Sequence, residues 1–109
     1  MAQPEWISGN IFIRANVLEH VGDAVARHAH QFDHTTIVWE GAVHVAATLP
    51  DGTRLEREFR RGEHFLVRAH VEHAITALED GTVFWCVYAH RDPQGRVTQE
   101  YTGWERAYA

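Results

Sequence analysis

Between Asn10 and Arg91 the chain is cut into short runs of strand-forming residues by closely spaced turn signals, and this punctuation most narrows what it can fold into. Leu49-Pro50-Asp51-Gly52-Thr53 sets Asp-Gly between two such runs, the strongest short-range hairpin signal, and Glu79-Asp80-Gly81 repeats the pattern later. Gly22, Gly41 and Gly62 mark further turns. The runs are Ile11 to His20, Ala24 to His30, Thr35 to Glu40, Ala42 to Leu49, Arg54 to Arg60, His64 to Val67, His73 to Leu78 and Thr82 to His90. Together they use up most of the 109 residues. A parallel α/β fold needs crossover helices that the periodicity does not supply, so the expected class is all-β, a sandwich or barrel. The one helix-like stretch is the C-terminus, where Tyr101, Trp104 and Tyr108 follow a three-and-four spacing weakened by Gly103. These aromatics and Trp6 are expected to pack against one end of the barrel or a neighbouring subunit.

Composition removes several chemistries. All ten basic residues are Arg, no Lys occurs, and the only Ser is Ser8. A Schiff base and a phosphate-loop lysine are therefore excluded, and a lone serine near the start is a poor nucleophile. A net charge of −5 argues against nucleic acid and against an anionic membrane, both of which are bound through clustered Lys and Arg. No apolar run is long enough to span a bilayer, and MAQPEWISGN lacks the basic and apolar regions of a signal peptide, so a cytoplasmic location is expected. The single cysteine, Cys86, cannot form an internal disulfide, in keeping with a reducing compartment.

Histidine is the anomaly. Nine are present, at 20, 28, 30, 34, 44, 64, 70, 73 and 90, and imidazole is the commonest metal ligand. His28 and His30 are two apart, so along a strand both project from one face with Ala29 on the other. His34 follows after Gln31-Phe32-Asp33, which can turn the chain back toward the same point. His73 starts a later run and reaches that point only if the sheet folds over. The remaining histidines read as surface or turn residues, with His70 placed to line the mouth of the site.

Gly22, five residues, His28-Ala29-His30, three residues, His34, six residues and Gly41 resemble the first cupin motif, G-x5-H-x-H-x3-E-x6-G, in every spacing. His34 stands where that family usually has Glu. Gly62 to Ala77 resembles the second motif, G-x5-P-x-G-x2-H-x3-N, less closely: Gly62 and His73 match, while Arg68, His70 and Ala77 replace Pro, Gly and Asn. The resemblance implies one cupin domain, a double-sheeted jelly-roll barrel over residues 10–91 with terminal arms 1–9 and 92–109. It also implies a mononuclear divalent metal held by His28, His30, His34 and His73. His34 either binds the metal or stands behind it, with Asp33 as its orienter or as a competing ligand.

Four imidazoles leave a divalent ion with its full charge, which favours an anionic or carbonyl-bearing small organic molecule on the open positions. All-nitrogen sites suit Fe, Ni, Cu and Zn, with Fe expected first. By analogy with cupins the leading function is an iron-dependent dioxygenase. A metal-dependent isomerase or lyase, a ligand-binding or sensing module, and a metal that only staples the fold remain open. No catalytic acid–base pair is visible. Parity splits the run 83–90 into Val83, Trp85, Val87, Ala89 and Phe84, Cys86, Tyr88, His90, and either face can line the barrel. Pocket candidates are accordingly Trp39, Phe65, Val67, Ile75, Trp85, Cys86 and Tyr88, with Arg68 and His70 at the mouth. Aromatic residues on both strand faces lead to the expectation of a homodimer.

Overall fold

A computed structural model describes residues 4–97. The expected C-terminal helix, with Tyr101, Trp104 and Tyr108, lies outside the described residues. The strands are β1 (Glu5–Ser8), β2 (Ile11–Leu18), β3 (Ala24–His28), β4 (His34–Glu40), β5 (Ala42–Thr48), β6 (Arg54–Arg60), β7 (His64–Val67), β8 (Glu72–Ala77) and β9 (Thr82–Ala89). The described residues contain no helix.

Two antiparallel sheets face each other, one ordered β1-β2-β9-β4-β7 and the other β3-β8-β5-β6. Period-two patterning decides what enters the space between them. On β8 the buried positions are His73, Ile75 and Ala77; on β4 they are His34, Thr36 and Val38. Leu18, Val38, Val43, Val45, Phe59, Ile75, Ala77 and Phe84 form the core. The histidines of β4 and β8 therefore project into the same interior as the core, at the end of the sandwich where the apolar cluster stops.

The turns act as the sequence dictates. Between β5 and β6 the Leu49 N–H bonds the Thr53 carbonyl at 2.8 Å, the Gly52 N–H bonds the Leu49 carbonyl at 2.9 Å, and Asp51 Oδ1 accepts the Thr53 N–H at 2.9 Å. That last bond holds the Asp51 carboxyl below its ordinary range. Gly41 joins β4 to β5 with φ +79°, and a Cβ there would collide with the Thr82 side chain and lie 3.0 Å from Thr82 Cα.

Three differences from expectation exceed a single residue. The N-terminal arm supplies β1, whose Trp6 and Ile7 pair with Ile13 and Phe12, so the described residues contain nine strands where eight runs were read. The stretch is too short and too mixed to signal a strand by itself. The second run stops at His28, after a register shift between Val25 and His28, which leaves His30 in the following loop. The first run stops at Leu18, where the chain turns through Glu19 and His20 toward Gly22.

Candidate metal centre

Four of the nine histidines meet between the sheets. His28 ends β3, His30 follows it in the loop, His34 opens β4 and His73 lies on β8, where it is the register partner of His28. Ring centroids are 4.3 Å apart for His28 and His73, 4.6 Å for His28 and His30, 4.8 Å for His30 and His34, and 5.4 Å for His34 and His73. In His28, His30 and His73 one nitrogen each lies within 4.8 Å of the others.

The chemistry of these nitrogens fits a metal. Nε2 of His28 and Nε2 of His30 are 2.9 Å apart. Two nitrogens on one ion with bonds of about 2.1 Å at a right angle would be about 3.0 Å apart. Nδ1 of His73 is 3.0 Å from the Val71 carbonyl, which can only accept, so this nitrogen carries a proton and in the neutral ring the lone pair is on Nε2. His34 is 2 % exposed, and both of its ring nitrogens are buried without a hydrogen-bond partner. Its pKa is lowered from 6.5 to about 3, first by burial and then by the neighbouring His30, His73 and His28. It is a neutral imidazole with an unused lone pair, the electronic state a metal ligand requires.

The loops on either side hold the cluster. The His70 N–H bonds the His30 carbonyl at 2.7 Å, and Asp33 Oδ1 accepts the Ala69 N–H at 2.7 Å. Asp33 is exposed and tied to this backbone, so it neither orients His34 nor competes for its place. His70 has φ +67°, the only positive value at a non-glycine among the described residues. It stands where the second cupin motif carries Gly, and it has kept the backbone conformation that glycine adopts without strain.

The cavity beside the histidines measures about 60 Å³ and is lined further by Arg14, Asn16, Val25, Phe32, Ile75, Phe84, Cys86 and Tyr88. Phe32 stacks on Tyr88 at 4.2 Å, and Tyr88 on Phe12 at 5.0 Å, forming one aromatic side. Burial pushes the Cys86 thiol up, outweighing its contacts with Thr36 and Asn16, and keeps it protonated. Phe84, Cys86 and Tyr88 are thus the inward face of β9.

Several pocket candidates lie elsewhere. Trp85 has the opposite parity and stacks on Trp39 at 4.5 Å and 9° on the outer side of the five-stranded sheet, where Trp39 is 53 % exposed. Phe65, Val67 and Arg68 border a separate hollow of about 430 Å³ between β6 and β7, reached by His73 from its other side. His70 is exposed and contributes its backbone rather than its ring. Of the remaining histidines, His44 pairs with Glu56 at 3.3 Å, and His20 and His64 are exposed. Arg14, Asn16 and Phe32 were missed. The signal for the first two was parity, since Phe12, Arg14, Asn16 and Leu18 share one face of β2 and an arginine among apolar neighbours marks a polar interior.

No protein-family model matches the sequence, and a search of curated proteins finds no match. Solved structures do match. A cupin-2 domain protein from Shewanella frigidimarina superposes with a TM-score of 0.62 at 17% identity, over 81% of this chain and 79% of that one. KdgF from Halomonas sp. gives 0.64 at 20% identity, over 80% and 76%. A tryptophan variant of oxalate decarboxylase from Bacillus subtilis gives 0.69 at 21% identity, covering 87% of this chain and 25% of that longer one. The fold is that of the cupins. Oxalate decarboxylase carries Mn(II) centres. In the present cupin barrel, His28, His30 and His73 form a cluster able to hold a divalent metal ion.

Proposed function

We propose that this cupin is a metalloenzyme in which His28, His30, His34 and His73 hold one divalent transition metal, iron first among the candidates, and which acts on a small organic molecule by dioxygenase-type chemistry. The observation that carries the reading is the ligand set. Four imidazoles converge between the sheets, and one of them, His34, is buried with no hydrogen-bond partner for either nitrogen. A redox-active ion bound there would supply the electron transfer that dioxygen chemistry requires.

The chain's own part is to bind, orient and exclude water. Val71 orients the ring of His73, the bonds of Asp33 and His70 hold the two ligand loops together, and Phe32, Phe84 and Tyr88 line the cavity with aromatic rings. Among the described lining residues, Tyr88 alone offers a hydroxyl able to move a proton, which supports an isomerase or lyase as the second reading. We further propose that a second copy of the chain covers the outer face of the five-stranded sheet, where Trp6 and Trp39 are about half exposed beside Trp85.

The test is oxygen uptake by protein reconstituted with Fe(II), supplied with small keto acids, hydroxy acids and diketones. Consumption of oxygen that is abolished in His73→Ala supports the dioxygenase. Turnover without oxygen selects the isomerase or lyase, and ligand uptake without turnover selects a binding or sensing module.

A further inference from the structure

Arg14 is out of place for a strand residue in a small barrel. It lies on β2 with its side chain directed inward, borders the histidine cavity, and is 22% exposed. Its Nε bonds Glu5 Oε1 at 2.8 Å; Glu5 is its register partner on β1 and is 13% exposed. Glu5 does not border the cavity, and no carboxylate does among the described lining residues. Arg14 therefore brings a guanidinium to the cavity, while Glu5, a carboxylate it bonds, lies beside it on β1 at the edge of the sheet.

Taken with four imidazoles, which bring no negative charge of their own, this favours an anion in the cavity. A divalent ion on such ligands keeps its charge of +2, and a partly buried guanidinium beside it adds to the same potential. Ligand-free, the two cations disfavour each other; a small anion between them relieves both. The guanidinium fork matches a planar carboxylate, and its rigid donors fix the ligand's orientation as well as its charge. Size narrows the class: about 60 Å³ admits only a few heavy atoms, and Phe84 and Tyr88 bound the space with flat apolar rings.

We propose that Arg14 is the specificity residue of this site, and that the substrate is a small carboxylate held between the guanidinium and the histidine-bound metal. Glu5 is a positioning residue that aims the guanidinium. The inference rests on the metal-site reading above for the second anchor only, because the preference of Arg14 for an anion exists without metal.

The test measures acetate and malonate against acetamide and malonamide, by ligand-observed NMR on metal-free protein and by calorimetry on Mn(II)-loaded protein, at a pH where His34 is neutral. Wild type is expected to favour each acid over its amide in both forms. Arg14→Gln is expected to weaken acid binding by about 10- to 100-fold with Mn(II) affinity unchanged, and Arg14→Lys to restore part of the loss. Glu5→Gln keeps a side-chain oxygen to accept the Arg14 Nε–H while removing the competing charge, and is expected to hold the acid at least as tightly as wild type.

Equal binding of acid and amide by metal-free wild type, or full retention of acid binding in Arg14→Gln, overturns the proposal. Equal losses in Arg14→Gln and Glu5→Gln also overturn it, since a strap that merely ties β1 to β2 would respond that way. If Arg14→Gln does not fold, the acid-to-amide ratio of metal-free wild type decides. Failure to bind Mn(II) while the metal-free preference persists removes the metal reading and leaves the role of Arg14 intact.

Discussion

His34 makes the metal-free protein less stable as the pH falls. Above pH 6.5 it is neutral whether folded or unfolded and adds no pH dependence. Below that, the unfolded chain takes up a proton that the folded one refuses until about pH 3, so stability falls as pH falls through this window. Thermal melts of metal-free protein between pH 7 and pH 5 are expected to show a falling Tm, with a shallower slope in His34→Asn. A slope unchanged by the substitution would mean that His34 takes up protons when folded. That the rings of His28, His30, His34 and His73 come together was legible because strand parity and the spacing of the histidines are sequence properties. The surroundings were less so. Asp33 looked like a partner for His34, yet one hydrogen bond to Ala69 turns it outward, and nothing in the local sequence encodes that bond. Phe32 reads as an ordinary loop aromatic until Tyr88 is brought beneath it from β9.

At the scale of elements, two turns make opposite demands. Gly41→Ala adds a methyl against Thr82 in a left-handed backbone and is expected to cost about 2 kcal/mol, lowering Tm by several degrees. His70→Gly gives the left-handed position the residue that adopts it freely, and is expected to leave stability unchanged or raise it by up to about 1 kcal/mol. Chemical denaturation of the two variants checks both signs; destabilisation by His70→Gly would mean that the exposed imidazole makes a contact worth more than the backbone strain. The strands themselves were legible through their turns, and Asp51-Gly52 gave the β5–β6 hairpin its place. Ends were less legible. β3 stops at His28 because of a register shift that depends on pairing with β8, and β1 exists because β2 offers it an edge. Both are tertiary effects acting on short segments.

For the whole molecule, the open question in the sequence was which face of β9 looks inward, because Val83, Trp85 and Val87 are as apolar as Phe84, Cys86 and Tyr88. The register with β2 and β4 settles it by setting Arg14, Cys86 and Thr36 in one row inside the barrel. Trp85 is thereby placed outside, stacked with Trp39, and the second apolar face of the strand becomes surface. An exposed aromatic face of this kind suits a symmetric pair, in keeping with the proposed assembly. Light scattering is expected to give twice the mass of one chain, and Trp39→Glu is expected to give the monomer; a monomeric wild type would contradict this assembly.

The central claim is that the four histidines are a metal centre, and the most direct measurement is elemental analysis of protein purified without added metal or an affinity tag, beside His28→Ala. About one transition-metal ion per chain, iron foremost, that is absent from the folded variant is the expected result. A wild type that stays metal-free even after reconstitution with Fe(II), Ni(II), Cu(II) or Zn(II) would contradict it.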